Sequence, residues 1–217
     1  MTVRRQDERP GAQEWVPQGG GVEDLREAAG GCRGCELWKD ATQTVFSTGA
    51  EKASMMLVGD QPGDREDRLG EPFVGPAGRM LDDALDAAGI ERTSVYLTNA
   101  VKHFRFELRG KRRIHQKPVT GQVVACHPWL EAEVAAVRPR VIVAMGATAA
   151  RSVLGRPVTI ADVRGAEIDA PEWPGVAVLV TVHPSSLLRL RDDADRHAAF
   201  RGFVADLHAA SELAERR

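Results

Sequence analysis

The sequence predicts a three-layer α/β/α sandwich, and two observations carry that expectation. Four compact apolar runs recur along the chain: "ASMMLVGD" (53–60), "SVYLTNA" (94–100), "RVIVAMG" (140–146) and "VAVLVTVHP" (176–184). Each is short and rich in branched aliphatics, with turn residues at its end, as buried strands are. Helical patterns stand between them, and strands alternating with helices imply a parallel sheet covered on both faces.

The bulk numbers agree with one domain. The chain has 217 residues, 43% hydrophobic and 28% charged, which suits a single globular core. Residues 1–21 are rich in Gly, Pro, Gln and charge and are expected to form a flexible arm, leaving 22–217 as the domain. No apolar run approaches the roughly 20 residues that span a bilayer, and the first segment lacks the apolar stretch of a secretory signal. A cytoplasmic protein without membrane contact is the expectation.

Each element follows from local pattern. "VEDLREAAGG" is a short helix leading into "CRGC". The run 53–60 is a strand ending in Gly-Asp. In "PAGRMLDDALDAAGI", Met80, Leu81, Leu85 and Ala88 fall at helical spacing, with Gly89 as the stop. "SVYLTNA" is the next strand, and a basic loop separates it from the helix "TGQVVACHPWLEAEVAAV". "RVIVAMG" runs into the helix "ATAARSVLG", "VAVLVTVHP" is the last strand, and 193–215 form a closing amphipathic helix. Sites in such sheets form at the carboxyl ends of strands. There the chain places "GDQPGDRED", "TNAVKH" and "VHPSSLLR".

Charge is distributed unevenly. The net charge is −2, yet seven Lys or Arg lie between Lys102 and Lys117 against one acid, Glu107, a local excess of +6. A patch of this kind suffices for nucleic acid. Its densest part, "GKRRIHQKP" (110–118), carries His115, which either decorates a DNA-gripping loop or performs chemistry there.

The loops hold further candidates. "GDQPGDREDRLGEPFVGPAGRM" has a rigid irregular backbone, and "GPAG" opens a helix whose free N–H groups suit an anion; no Gly-Lys-Ser/Thr follows, so it is not a P-loop. Phe73 is either a stacking platform for a base or a core aromatic pinning the loop. Asp60, Asp64, Glu66 and Asp67 either orient a water or an imidazole or are merely solvated. Asn99 is either a reader of a base edge or a turn residue. His183 at its strand end can donate to developing negative charge. Ser185 and Ser186 suit phosphates, and Leu188 and Arg189 suit a wedge into a groove. Three cysteines cannot all pair, and Cys32-x2-Cys35 with the distant Cys126 points to a metal or redox role.

Taken together, "GDQPG…GEPFVGPAG", "LTNAVKH" and "HPSSLLR", in this order after an N-terminal CxxC, resemble the family 4 uracil-DNA glycosylases over about residues 22–210. The insertion "GKRRIH" is similar to the UdgX branch of that family. The resemblance implies a four-stranded parallel sheet flanked by helices, and a monomer acting on uracil-containing DNA, single-stranded in preference to double-stranded, with free uracil as product. The uracil pocket would be formed by Gly59, Gln61, Phe73, Asn99 and His183. Asp60, Gln61, Asp64, His115 and His183 would form the catalytic set, and Lys111, Arg112, Arg113, Ser185, Ser186, Leu188 and Arg189 would meet DNA.

A 4Fe–4S cluster is also implied, on Cys32, Cys35, Cys126 and, where the family has another cysteine, His103, with His127 as the competing ligand. In the UdgX branch the histidine of the loop traps the sugar carbon itself, so His115 would form a covalent bond to C1′ of the abasic sugar, a single-turnover reaction, with Asp60 accepting its other ring proton. One departure bears on this: Asp60 stands where these relatives usually carry Glu. The competing expectations are an ordinary turnover glycosylase using water, a non-catalytic zinc or iron–sulfur nucleic-acid-binding module and, less well matched, a nucleotide hydrolase.

Overall fold

A computed structural model describes residues 9–216. In chain order the elements are α1 (Val22–Ala29), β1 (Ser47–Gly49), β2 (Met55–Gly59), α2 (Asp64–Leu69), α3 (Pro76–Ala87), β3 (Tyr96–Asn99), β4 (Phe106–Arg109), β5 (Arg112–His115), α4 (Thr120–Val137), β6 (Val141–Met145), α5 (Ala147–Leu154), α6 (Ile160–Val163), β7 (Glu167–Ile168), β8 (Ala177–Thr181), α7 (Pro184–Leu187) and α8 (Asp193–Arg216).

The four expected strands pair in parallel as β3-β2-β6-β8 and form the middle of the sheet. Two short edge strands extend it: β1 pairs antiparallel with β3, and β7 antiparallel with β8. Their brevity, three and two residues, hides them from periodicity, which needs at least four or so residues of alternation.

The period of two in each strand sorts side chains into two cores. On one face Met56, Val58, Ile142, Ala144, Val178 and Val180 pack against Leu130 and Val134 of α4 and Ala149, Ala150 and Val153 of α5. On the other, Met55, Leu57, Leu97, Val143, Met145 and Leu179 meet Leu81, Ala84 and Leu85 of α3 and Phe203, Leu207 and Ala210 of α8. Three layers result, as the alternation predicts.

Three segments differ from expectation. Part of the arm is seated on the domain: Ala12 is fully buried, Gly11 N–H donates to Gly34 O (3.0 Å), and Ala12 N–H donates to Ala125 O (2.8 Å); residues 1–8 lie outside the described residues. The acidic stretch after Gly63 is the helix α2, because Glu66 Oε2 accepts from the backbone N–H of Gly63 at its start (3.1 Å) and Gly70, at φ 76°, closes it. The basic loop is a β-hairpin. β4 and β5 pair with Arg109 opposite Arg112, leaving Gly110 and Lys111 as a tight turn whose first residue sits at φ 61°, a conformation glycine supplies without strain.

Candidate active site

The loops leaving β2, β3 and β8, joined by the hairpin, enclose a cavity of about 570 Å³. Gln61, Asp64, Phe73, Asn99, His115, His183, Ser185, Leu188 and Arg189 all line it, so most of the residues singled out in the sequence converge. Parallel strands deliver their carboxyl-end loops to one edge of the sheet, and that is why segments far apart in sequence meet here.

The floor depends on Gly59. A Cβ there would lie 2.4 Å from Asn99 Oδ1 and 2.6 Å from Phe73 Cζ, so only glycine lets the amide and the ring close over the strand end. Phe73 is held at φ 58°, an uncommon conformation for a bulky residue. Arg92, ion-paired with Asp82, donates to the Phe73 carbonyl (3.3 Å), and Glu66 ties the loop by accepting from Gly75 N–H (2.7 Å). Glu66 is thus a buried brace rather than a solvated acid. Asn99 is 2% exposed and its side-chain amide has no hydrogen-bond partner among the described residues. A buried amide without partners, lining a cavity, is available to a ligand.

His183 presents a defined proton. Its Nδ1 accepts from the backbone N–H of Ser185 (3.2 Å) and lies 2.8 Å from Ser185 Oγ. A backbone N–H can only donate, so Nδ1 carries the lone pair and the neutral ring carries its proton on Nε2. Burial holds the His183 pKa below the ordinary histidine value, with Asp60 acting against that shift and Arg189 reinforcing it. The ring lies 6.4 Å from that of Phe73 at an interplanar angle of 27°. Asp60 Oδ1 is buried and makes no hydrogen bond among the described residues. The expected contact in which Asp60 fixes the His115 tautomer is therefore absent.

Gln61 does that work. Its Oε1 accepts from Arg105 N–H (3.0 Å), while Nε2 donates to Gln116 O (3.0 Å) and Arg105 O (3.3 Å). These backbone partners fix which end of the amide is nitrogen, and that nitrogen lies 2.9 Å from His115 Nε2. His115 Nε2 is accordingly an acceptor, and the ring proton resides on Nδ1. His115 is open to solvent on one side, yet burial on the other lowers its pKa, opposed by Asp60 and assisted by Arg189. A neutral imidazole stands at the cavity mouth.

The basic residues of the hairpin have different roles. Lys111 and Arg112 are exposed at the turn. Arg113 is not free for one. Its Nε meets Asp64 Oδ1 (2.5 Å), a second nitrogen meets Asp67 Oδ2 (2.5 Å), and the guanidinium sits over Phe104 and Phe106 at 5.4 and 5.1 Å. In β5, side chains alternate, so Arg113 and His115 share a face while Arg112 takes the other. Asp64 is therefore a partner of Arg113, anchoring the hairpin, rather than a free acid. On α7, Ser186 Oγ donates to His183 O (2.7 Å), so both serine hydroxyls are engaged within the turn, while Leu188, 44% exposed, and Arg189 face outward beside the cavity.

The cysteines lie apart from the cavity. Cys32, Cys35 and Cys126 are buried in one cluster with Phe46, Val101 and Trp129. Gly34 N–H (3.5 Å) and Trp129 Nε1–H (3.3 Å) point at Cys32 Sγ, and Lys102 N–H (3.4 Å) at Cys126 Sγ, the donors that thiolates of a metal centre require. Without such a centre, burial pushes the Cys35 and Cys126 thiols up to about 11 and about 12.

His103 also fits the donor set. Thr44 Oγ1 gives its proton to Ala29 O (2.9 Å) and so accepts from His103 Nε2 (2.9 Å), leaving Nδ1 with a lone pair. Among the described residues no three of these groups converge on one point as ligands of a single ion would. His127, the competing ligand, pairs with Glu131 (3.7 Å) and rests against Trp173.

What the sequence reading missed was structural support. The Gly-Lys pair between two four-residue runs was the available signal for the hairpin. The roles of Gln61 and Arg113 had no local signal, because their partners lie 44 to 55 residues away.

The fold is a sandwich whose cavity lies at the carboxyl edge of a four-strand parallel core and is lined by Phe73, the buried amide of Asn99 and two histidines. The model of the uracil DNA glycosylase superfamily matches residues 46–208. The type-4 uracil-DNA glycosylase of Thermotoga maritima is 37% identical over 174 residues, covering 79% of this chain and 85% of its own. That of Archaeoglobus fulgidus is 34% identical over 172 residues, covering 77% and 83%. A type-5 uracil-DNA glycosylase of Pyrobaculum aerophilum is 33% identical over 169 residues, covering 70% of each chain. The chain belongs to the uracil DNA glycosylase superfamily.

Proposed function

We propose that this chain excises uracil from DNA. The observation that carries the reading is the unpartnered amide of Asn99, buried beside Phe73 over Gly59 in the cavity that His183 also lines. An enzyme acting on a glycosidic bond must first take the base out of the stack. Asn99 then offers a donor and an acceptor to the edge of uracil, and Phe73 offers its face. As the C1′–N1 bond breaks, its electron pair goes to N1 and spreads to the ring oxygens, where the His183 Nε2–H donates a hydrogen bond. The sugar is left as an oxocarbenium ion, and Asp60 supplies negative charge nearby.

The fate of that cation is the finer step, and we assign it to His115. The ring is neutral, and its lone pair sits on Nε2. Giving up the Gln61 hydrogen bond frees that pair to form a C1′–Nε2 bond, and the resulting imidazolium loses its Nδ1 proton to solvent. Water attacking the same carbon would give an ordinary turnover enzyme; the type-4 relatives are named without reference to any adduct. Mixing the protein with uracil-containing single-stranded DNA and running a denaturing gel separates the two. A heat-stable shifted band supports His115, whereas free abasic DNA without a shift supports water. Absence of uracil release would sink the glycosylase reading and leave a binding module.

Lys111 and Arg112 would meet phosphates on either side of the flipped nucleotide, and Leu188 would fill the space it leaves. Cys32, Cys35, Cys126 and His103 Nδ1 would hold a 4Fe–4S cluster. When bound, the cluster supplies a covalent tie between the segment after α1 and the segment after β3, a structural role. Iron and acid-labile sulfide in equal amounts in purified protein would support it, and zinc alone would replace it.

A further inference from the structure

Behind the pocket lies a buried ion pair that the chemistry above does not use. Lys102 and Glu133 are 1% and 0% exposed, and Lys102 Nζ lies 2.6 Å from Glu133 Oε2. The ammonium's other two protons go to Thr98 Oγ1 (2.5 Å) and to the main-chain carbonyl of Asn99 (3.0 Å). Glu133 Oε1 in turn accepts from Tyr96 Oη (3.0 Å) and Thr98 Oγ1 (2.7 Å). All three ammonium protons are therefore engaged.

A buried ion pair is weak evidence of a stability role, because apolar side chains of similar volume often serve as well or better. Its location is more informative. The peptide plane joining Asn99 to Ala100 is held at both ends: Lys102 Nζ donates to the Asn99 carbonyl, and the Ala100 N–H donates to Gly59 O (2.9 Å). That plane sets the direction in which Asn99 projects its amide past Gly59. The main-chain N–H of Lys102 points at Cys126 Sγ (3.4 Å), and Cys126 and Glu133 stand about two turns apart on the same face of α4. One lysine thus touches Cys126 through its backbone and Asn99 through its side chain.

We propose that the Lys102–Glu133 pair is a positioning device for Asn99: it holds the amide in the orientation that reads uracil and links that orientation to Cys126 on α4. This rests on the glycosylase reading of the pocket. Lys102 and Glu133 touch neither base nor sugar; they act through Asn99.

The test is the double variant Lys102→Met/Glu133→Gln. It removes both charges together, so no buried charge is left unpaired, and Gln retains an acceptor for Tyr96 and Thr98. Two affinities are measured on the full chain: free uracil as a competitor of excision or by calorimetry, and uracil-free DNA by titration. The expected result is a loss of about tenfold in uracil affinity, the scale of one good base-edge contact, with a parallel fall in excision rate and DNA affinity within about twofold. Unchanged uracil affinity, or uracil and DNA affinity falling in step, overturns the inference. Should the double variant not fold, Glu133→Asp retracts the carboxylate while keeping its charge and is read the same way. Uracil release by the wild-type chain tests the glycosylase reading separately, and a wild-type chain without affinity for uracil overturns both.

Discussion

Gln61 Nε2 donates to His115 Nε2 at 2.9 Å, and this one contact sets the tautomer of the imidazole at the cavity mouth. The same glutamine holds Arg105 and Gln116, bracketing both strands of the hairpin that carries His115. Gln61→Ala is expected to leave overall stability within about 1–3 kcal/mol of wild type, the cost of unpaired backbone groups. It should also free the hairpin, so that amide exchange of residues 105–116 accelerates while the sheet stays protected. Unchanged exchange there would show that the β4–β5 ladder alone suffices.

His115→Ser removes the proposed nucleophile without touching Asn99, Phe73 or His183. Uracil release should persist, with water completing the reaction, while the gel-stable adduct disappears. An adduct formed equally well by the Ser variant would mean that another group attacks.

Arg113 and its neighbours on the hairpin should respond differently to truncation. Arg113→Ala leaves Asp67, which is fully buried, without its cation. A loss of about 3 kcal/mol in denaturant unfolding is expected, with little change in the salt dependence of DNA binding. Lys111→Ala and Arg112→Ala should do the reverse, leaving stability near wild type and each lowering the slope of log K against log salt by about 1. Equal salt effects from all three would return Arg113 to the phosphates.

The two site histidines predict a pH dependence of defined sign. Both have folded pKa values below their ordinary value of about 6.5, burial being the cause. Below that value the unfolded chain binds protons that the folded chain resists. The stability they contribute is therefore complete above about pH 6.5 and declines as pH falls toward the folded values. Urea midpoints from pH 7.5 to 5.5 should fall less in His115→Gln than in wild type. Adduct formation, which needs the neutral ring, should persist below pH 6.5; a midpoint above it would contradict a depressed His115 pKa.

Gly59→Ala places a methyl 2.4 Å from Asn99 Oδ1 and 2.6 Å from Phe73 Cζ. Overpacking of this kind costs about 1–3 kcal/mol. Excision is expected to fall by well over tenfold because the amide and ring can no longer flank one base, and uracil-free DNA should bind as before. Near-normal excision would show that the pocket closes differently with DNA bound.

Much of this site was legible in the sequence because its chemistry sits at strand ends. Gly59, Asn99 and His183 follow apolar runs directly, and a parallel sheet necessarily brings such ends to one edge. Phe73 and the cysteines were legible through motif. The edge strands β1 and β7 were not, since pairing with a longer neighbour stabilises them rather than any pattern of their own. The acids after Gly63 were ambiguous for a similar reason. Charge alone does not say whether a carboxylate is solvated, as it does not for Asp64 or Asp67 until Arg113 arrives from the hairpin.

By itself the amino-acid sequence determined the alternation of strands and helices, the two-faced burial of each strand and the residue types delivered to the carboxyl edge, since all three follow from periodicity and turn chemistry over a few residues. The tertiary structure alone decided which side chains were already engaged. It made Arg113 an anchor, Gln61 the partner of His115, Asp60 an acceptor without a hydrogen bond, and Lys102 a buried cation behind Asn99. Those assignments depend on distances between segments tens of residues apart, and hydrogen bonds and ion pairs are made or left unmade over a few ångströms.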